Sequence, residues 1–156
     1  MTVRLSTALR NKLAGTTGFG TTFLNGVIYV YSGPQPLTAD AAISGALLGI
    51  VTNNGAAFAF GVATNGLQFD APVAGAVPKA AAQAWKFTGL VAGTAGWFRL
   101  MANAADNLGD DSVAVLLPRL DGSIGVTGAD LNLSNIAVTI GAPNTVDVFT
   151  FTIPAQ

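Results

Sequence analysis

The chain contains no cysteine and no histidine, and its eight acidic residues are all aspartate. Without cysteine there is neither a disulfide framework nor a thiolate metal site. Without histidine the usual neutral-pH general base is missing, and with it Ser-His-Asp triads, Cys-His dyads and the common zinc sites. The missing glutamate removes a good helix former, whereas Asp prefers caps and turns. Beside abundant Gly, Thr and Val, this argues for strands joined by turns.

Charge of either sign is scarce. Only 10% of the 156 residues are charged while 51% are hydrophobic, against about 25% charged in an ordinary soluble domain. The surface must therefore be built from Thr, Ser, Asn, Gln, Gly and Ala, or be covered by other chains, and assembly is favoured over a free monomer. The basic residues Arg4, Arg10, Lys12, Lys79, Lys86, Arg99 and Arg119 nearly balance the acids. They form no cluster beyond the N-terminus, so neutralising nucleic-acid phosphates has little to work with.

No apolar run reaches the ~18 residues that span a bilayer, and the basic N-terminus is not followed by a signal-type apolar segment, which predicts a cytoplasmic product with no membrane partner. A chain of this length buries roughly 70% of its unfolded surface in one core. The reading is residues 1–15 as an N-terminal helix or arm and residues 16–156 as a single β domain.

Leu5, Leu9 and Leu13 recur at steps of four, with Ser6 or Thr7 as N-cap and Gly15 as stop, which predicts a short helix. Its two readings are a helix packed on its own domain and an arm docked on a neighbour. Phe19, Phe23 and Leu24 suggest a second helical turn. Val27 to Tyr31 is the clearest strand, being wholly β-branched or aromatic. Further strands are expected at Ala46 to Thr52, around Phe58 and Phe60, at Leu67 to Phe69, Trp97 to Met101, Val113 to Leu117, Ile124 to Val126, Ile136 to Ile140 and Val146 to Ile153, with Lys86 to Gly89 leading into the strand at Trp97. Residues 71–85 read as a loop with one short strand. Trp97, Arg99 and Met101 are expected on one strand face, with Phe98 and Leu100 on the other. Asn54-Gly55, Asn65-Gly66 and Asp121-Gly122 read as turns. Turn signals about every ten residues suit a sandwich or a barrel, and the expected fold is a mostly β, single-domain antiparallel β-sandwich, a jelly roll among its forms, with a short N-terminal helix.

For chemistry, paired aspartates are the one familiar catalytic constellation that survives, and Asp106, Asp110, Asp111, Asp121 and Asp130 all look like turn-capping residues instead. A loop calcium site on Asp106, Asp110 and Asp111 is the sharper alternative, without EF-hand spacing. The Gly-rich residues 15–20 lack the Lys-Ser/Thr pair of a phosphate loop and read as a connection. Trp85, Trp97, Tyr29 and Tyr31 are either core or a sugar-stacking platform. No catalytic, cofactor-binding or metal residue is assigned, and no cofactor is expected.

The strings RLSTALRNKLAG (4–15), NGVIYVYSGPQPLTADAA (25–42), GLVAGTAGWFRLMANAAD (89–106) and RLDGSIGVTGADLNLSN (119–135), with the closing FTFTIPAQ, resemble small virion structural proteins of tailed bacteriophages. The resemblance runs over nearly the whole chain and implies a non-enzymatic virion component assembled in the host cytoplasm. Among such proteins it points to a capsid decoration (cement) protein that binds the major capsid protein between capsomers as a homo-oligomer, a trimer among the candidates. A tail or head-to-tail connector subunit is the alternative, and a carbohydrate-binding adhesin the alternative from another class.

Overall fold

The computed structural model describes residues 3–112 and 116–153. Among the described residues, ten strands and two short helices follow one another as β1 (Arg4–Leu5), α1 (Thr7–Ala14), α2 (Phe19–Thr22), β2 (Val27–Ser32), β3 (Leu47–Asn53), β4 (Ala76–Pro78), β5 (Trp85–Thr88), β6 (Gly93–Met101), β7 (Arg119–Gly125), β8 (Leu131–Leu133), β9 (Ala137–Val138) and β10 (Pro143–Thr152). The fold is mostly β, as composition implies.

Seven strands close on themselves in the order β7-β8-β10-β5-β3-β2-β6, with β6 returning to β7. This is a barrel, one of the two forms that the turn spacing admits, and not the two-sheet sandwich or jelly roll. All its neighbours are antiparallel except β7 and β8, whose two-residue parallel pairing is joined by a loop far too short for a helical crossover. Asp130 secures that loop: its Oδ2 accepts from the Ser123 N–H at 2.9 Å and from the Ser123 hydroxyl at 2.7 Å.

Inward residues alternate along the strands and fill the barrel with side chains. Ile28, Val30, Val51, Trp85, Phe87, Phe98, Leu100, Leu120, Leu131 and Val146 form one buried cluster. Leu9 from α1 and Phe19 and Phe23 around α2 join it, the Phe19 ring stacking on Phe151 at 4.1 Å. Gly49 in β3 makes room for this packing, since a Cβ there would stand 2.0 Å from the Phe87 ring. In β10 a bulge between Val146 and Val148 changes which residues face inward. Val146 and the pair Phe149 and Phe151 are therefore all buried, although unbroken alternation would set them on opposite faces.

The N-terminal segment belongs to this domain. β1 pairs with β7, and Ala8 and Leu9 of α1 are buried. Ser6 is the N-cap and also a tie: its hydroxyl accepts from Leu9 N–H at 3.2 Å and from Arg119 N–H at 2.9 Å, and donates to the Leu117 carbonyl at 2.9 Å. Ser6→Ala removes a cap and two long-range bonds together. A loss of about 2 kcal/mol is expected in denaturant unfolding, at the upper end for caps.

Two sequence expectations are corrected. Asp121-Gly122 is not a turn but the middle of β7, where Asp121 lies directly opposite Arg99 and Gly122 opposite Phe98. The two residues have other reasons to be there: Asp121 carries a buried ion pair, and a Cβ on Gly122 would meet the Phe98 ring at 2.6 Å. Phe58 and Phe60 form no strand and pack edge to face at 5.2 Å within a loop. The strand expected at Val113 to Leu117 lies largely outside the described residues, and Leu116 and Leu117 are in no strand.

Candidate functional site

Two features of the barrel stand out, an apolar cavity and a buried polar layer. The cavity, of about 620 Å³, lies where β1 and the end of β10 flank the barrel wall, and is lined by Val3, Leu5, Leu13, Leu120, Phe149, Phe151 and Ile153 among others. Among the described residues the last residues of β10, Thr150 to Thr152, pair only with β4.

The polar layer lies on the outer face of β2, β6 and β7. Strand alternation that sends Val30, Phe98 and Leu120 inward sends Tyr31, Trp97, Arg99, Arg119 and Asp121 outward, and all five are fully buried or nearly so. What buries them is a second layer made by the segments 33–46 and 102–112. Arg99 donates to the Ala41 carbonyl at 3.0 Å, while Arg119 donates to the Gly109 carbonyl at 2.8 Å. The two segments are joined to each other by Asp111 N–H on the Asp40 carbonyl at 2.7 Å and Ile43 N–H on the Leu108 carbonyl at 3.2 Å. Asp40 turns its carboxylate the other way, accepting from the N–H and hydroxyl of Thr7 at the start of α1.

Two ion pairs lie at the centre of this layer. Arg99 meets Asp121 through two parallel bonds of 2.7 and 2.8 Å, with both side chains wholly buried. Arg119 meets Asp106 in the same two-pronged way at 2.7 and 2.6 Å. The planar guanidinium fork matches a carboxylate in a manner that Lys cannot reproduce. Burial pushes the Asp121 carboxyl above its ordinary range, and the Arg99 hydrogen bonds and charge pull it down without fully offsetting that burial. The folded state therefore holds this proton more tightly than the unfolded chain does, so the contribution of Asp121 to stability rises as pH falls.

Asp110 behaves oppositely. Its exposed carboxylate accepts from the hydroxyl and N–H of Ser112, which lowers its pKa. The stability it adds is present above the ordinary aspartate range and is lost as pH falls through its own lowered value. Asp110→Asn should then lower the denaturant midpoint slightly at neutral pH, and the difference from the parent should vanish in acid.

The aspartates weighed as an alternative calcium loop are not brought together as ligands. Asp106 is committed to Arg119, Asp110 to Ser112, and Asp111 accepts from the Leu117 N–H. Among the described residues no group of three or more acidic side chains could hold a metal ion. Nor do the aromatics form an open platform: Trp85 is in the core, Trp97 and Tyr31 are stacked on each other at 4.5 Å inside the polar layer, and only Tyr29 is half-exposed. Burial raises the hydroxyl pKa of both tyrosines above its usual value. The ion-pair layer was missed in the sequence, although a signal existed. Arg99 interrupts the strongly apolar run Trp97 to Met101, and a lone charge at such a position needs a buried partner. In comparisons with protein-family models, curated proteins and solved structures, nothing matches this chain.

Proposed function

We propose that this chain is a non-enzymatic virion structural protein of a tailed bacteriophage, and specifically a capsid decoration protein that binds between capsomers. The observation that carries the reading is an apolar, weakly charged exterior on a tightly built barrel. Leu37 is 88% exposed, Val73 72% and Ile140 67%, in a chain with only 10% charged residues. Such a surface is poorly protected against association and suits a subunit that is covered in an assembly. The resemblance of the four sequence strings to virion proteins supplies the particle. The finer expectation of a sandwich is not needed, because a closed barrel stapled by a rigid outer layer serves equally well as a cement block.

The chemistry-bearing residues also fit a structural role. The layer's four charged partners Arg99, Asp121, Arg119 and Asp106 are spent on each other, and Asp40, Asp111 and Asp130 on backbone groups. The test is to mix the purified protein with capsids lacking it and count bound copies. Saturable binding to the shell supports the reading. Binding to isolated tails with none to shells would replace it by the connector reading. Deleting residues 1–13 is not a usable test of docking, since it removes Leu9 from the core. Charged substitutions at Leu37 and Ile140 are the better probe, because they should leave folding intact while weakening attachment.

A further inference from the structure

Three buried polar atoms in the outer layer have no hydrogen-bond partner among the described residues: the Tyr31 hydroxyl, the Trp97 indole N–H and the Arg99 Nη1. They belong to one neighbourhood. Tyr31 and Trp97 are directly opposed across β2 and β6 with their rings stacked. Arg99 follows two residues after Trp97 on the same strand face, its guanidinium carbon 5.6 Å from the Trp97 ring centre. The Tyr31 hydroxyl also feels the Arg99 charge. All three residues are 0% exposed.

Leaving buried donors without an acceptor is costly, and native structures rarely leave several together. What answers them depends on their kind. All three can donate, and two of them, the indole and the guanidinium, can only donate. A water molecule would accept from two of them but would then have two hydrogens of its own to place, with only the tyrosine oxygen to receive one. An anion accepts from all three and has nothing to place. Arg99 supplies charge through Nη1, the one guanidinium nitrogen that Asp121 and the Ala41 carbonyl leave unused. Because all three residues are wholly shielded from solvent, the occupant must be of atomic size.

We infer that Tyr31, Trp97 and Arg99 form a buried site for one halide ion, which pins the loop layer onto the barrel wall. Asp121 and Asp106 lie in the same layer, and their negative charge keeps the affinity for an anion weak. The site is independent of the proposed function and concerns how the outer layer is held.

The probe is bromide. Crystals grown in sodium bromide should give an anomalous peak within hydrogen-bond reach of all three donors. The thermal midpoint should rise with bromide or chloride but not with sodium methanesulfonate at equal ionic strength. Tyr31→Phe removes only the hydroxyl and should raise the halide concentration needed for that rise roughly tenfold. An ordered water at the three donors with identical midpoints in both salts would overturn the assignment, as would an unchanged halide response in Tyr31→Phe. The diffraction experiment uses the unchanged protein and stands even if the variant folds poorly.

Discussion

Arg99→Met is expected to destabilise the fold by about 3–5 kcal/mol, because it leaves the Asp121 carboxylate buried and unpaired. Asp121→Leu should cost a similar amount by stranding the guanidinium. The pair's net worth is another matter. Two charges taken fully out of water lose hydration that their mutual attraction barely repays, in line with burial holding the Asp121 carboxyl above its ordinary range despite its Arg99 partner. The double variant Arg99→Met with Asp121→Leu should therefore lose far less than the sum of the single changes. Part of the remaining loss is the Arg99 bond to the Ala41 carbonyl. Equilibrium unfolding of the four proteins closes the cycle, and strictly additive losses would mean that the two residues do not act as a pair.

Gly49→Ala is the second large effect. A Cβ at this position would lie 2.0 and 2.6 Å from two carbons of the Phe87 ring, far inside contact distance, in the middle of a wall strand that cannot easily retreat. Overpacking of cores usually costs 1–3 kcal/mol, and this contact belongs at about the upper end or beyond it. Phe87→Leu alone opens a cavity, since Phe87 is 1% exposed within the core. Combined with Gly49→Ala, it should recover part of the loss, because the smaller side chain vacates the space that the new methyl needs. Unfolding midpoints of the two single variants and the double variant decide it. If the double variant is as unstable as the sum of the two, the two positions do not share that space.

These two sites also divide what was legible in the sequence from what was not. Strands β2, β3, β6 and β10 were visible because runs such as Val27 to Tyr31 and Val146 to Ile153 carry period-two or wholly β-forming patterns, which act locally. The two faces of β6 were likewise readable, with Phe98 and Leu100 in the core and Trp97 and Arg99 outside it. Closure into a barrel was not readable. It depends on β6 meeting β7 and on β10 lying between β8 and β5, pairings between distant segments whose turns look the same in a sandwich.

Asp121-Gly122 shows how a local rule can lose to a tertiary one. The dipeptide is a turn signal by composition, yet a cross-strand arginine stabilises the Asp and a neighbouring ring occupies the space beside the Gly. Asp106 instead satisfies both rules, accepting from the Leu108 N–H as a turn aspartate should and anchoring Arg119 from across the layer. Tyr31 and Trp97 were read as core or platform; both are fully buried, as the core reading requires, but on the outer face of the wall and outside the main cluster.

The proposed role places this barrel as a structural subunit of a phage particle, seated on the capsid shell. An electron cryomicroscopy reconstruction of particles containing this chain tests it most directly. The account predicts density for the barrel at repeated positions between capsomers, with exposed apolar residues such as Leu37 and Ile140 covered by neighbouring chains. Copies confined to a ring on the tail axis with none on the shell would contradict the decoration assignment, and absence of the barrel from the particle would contradict the structural role altogether.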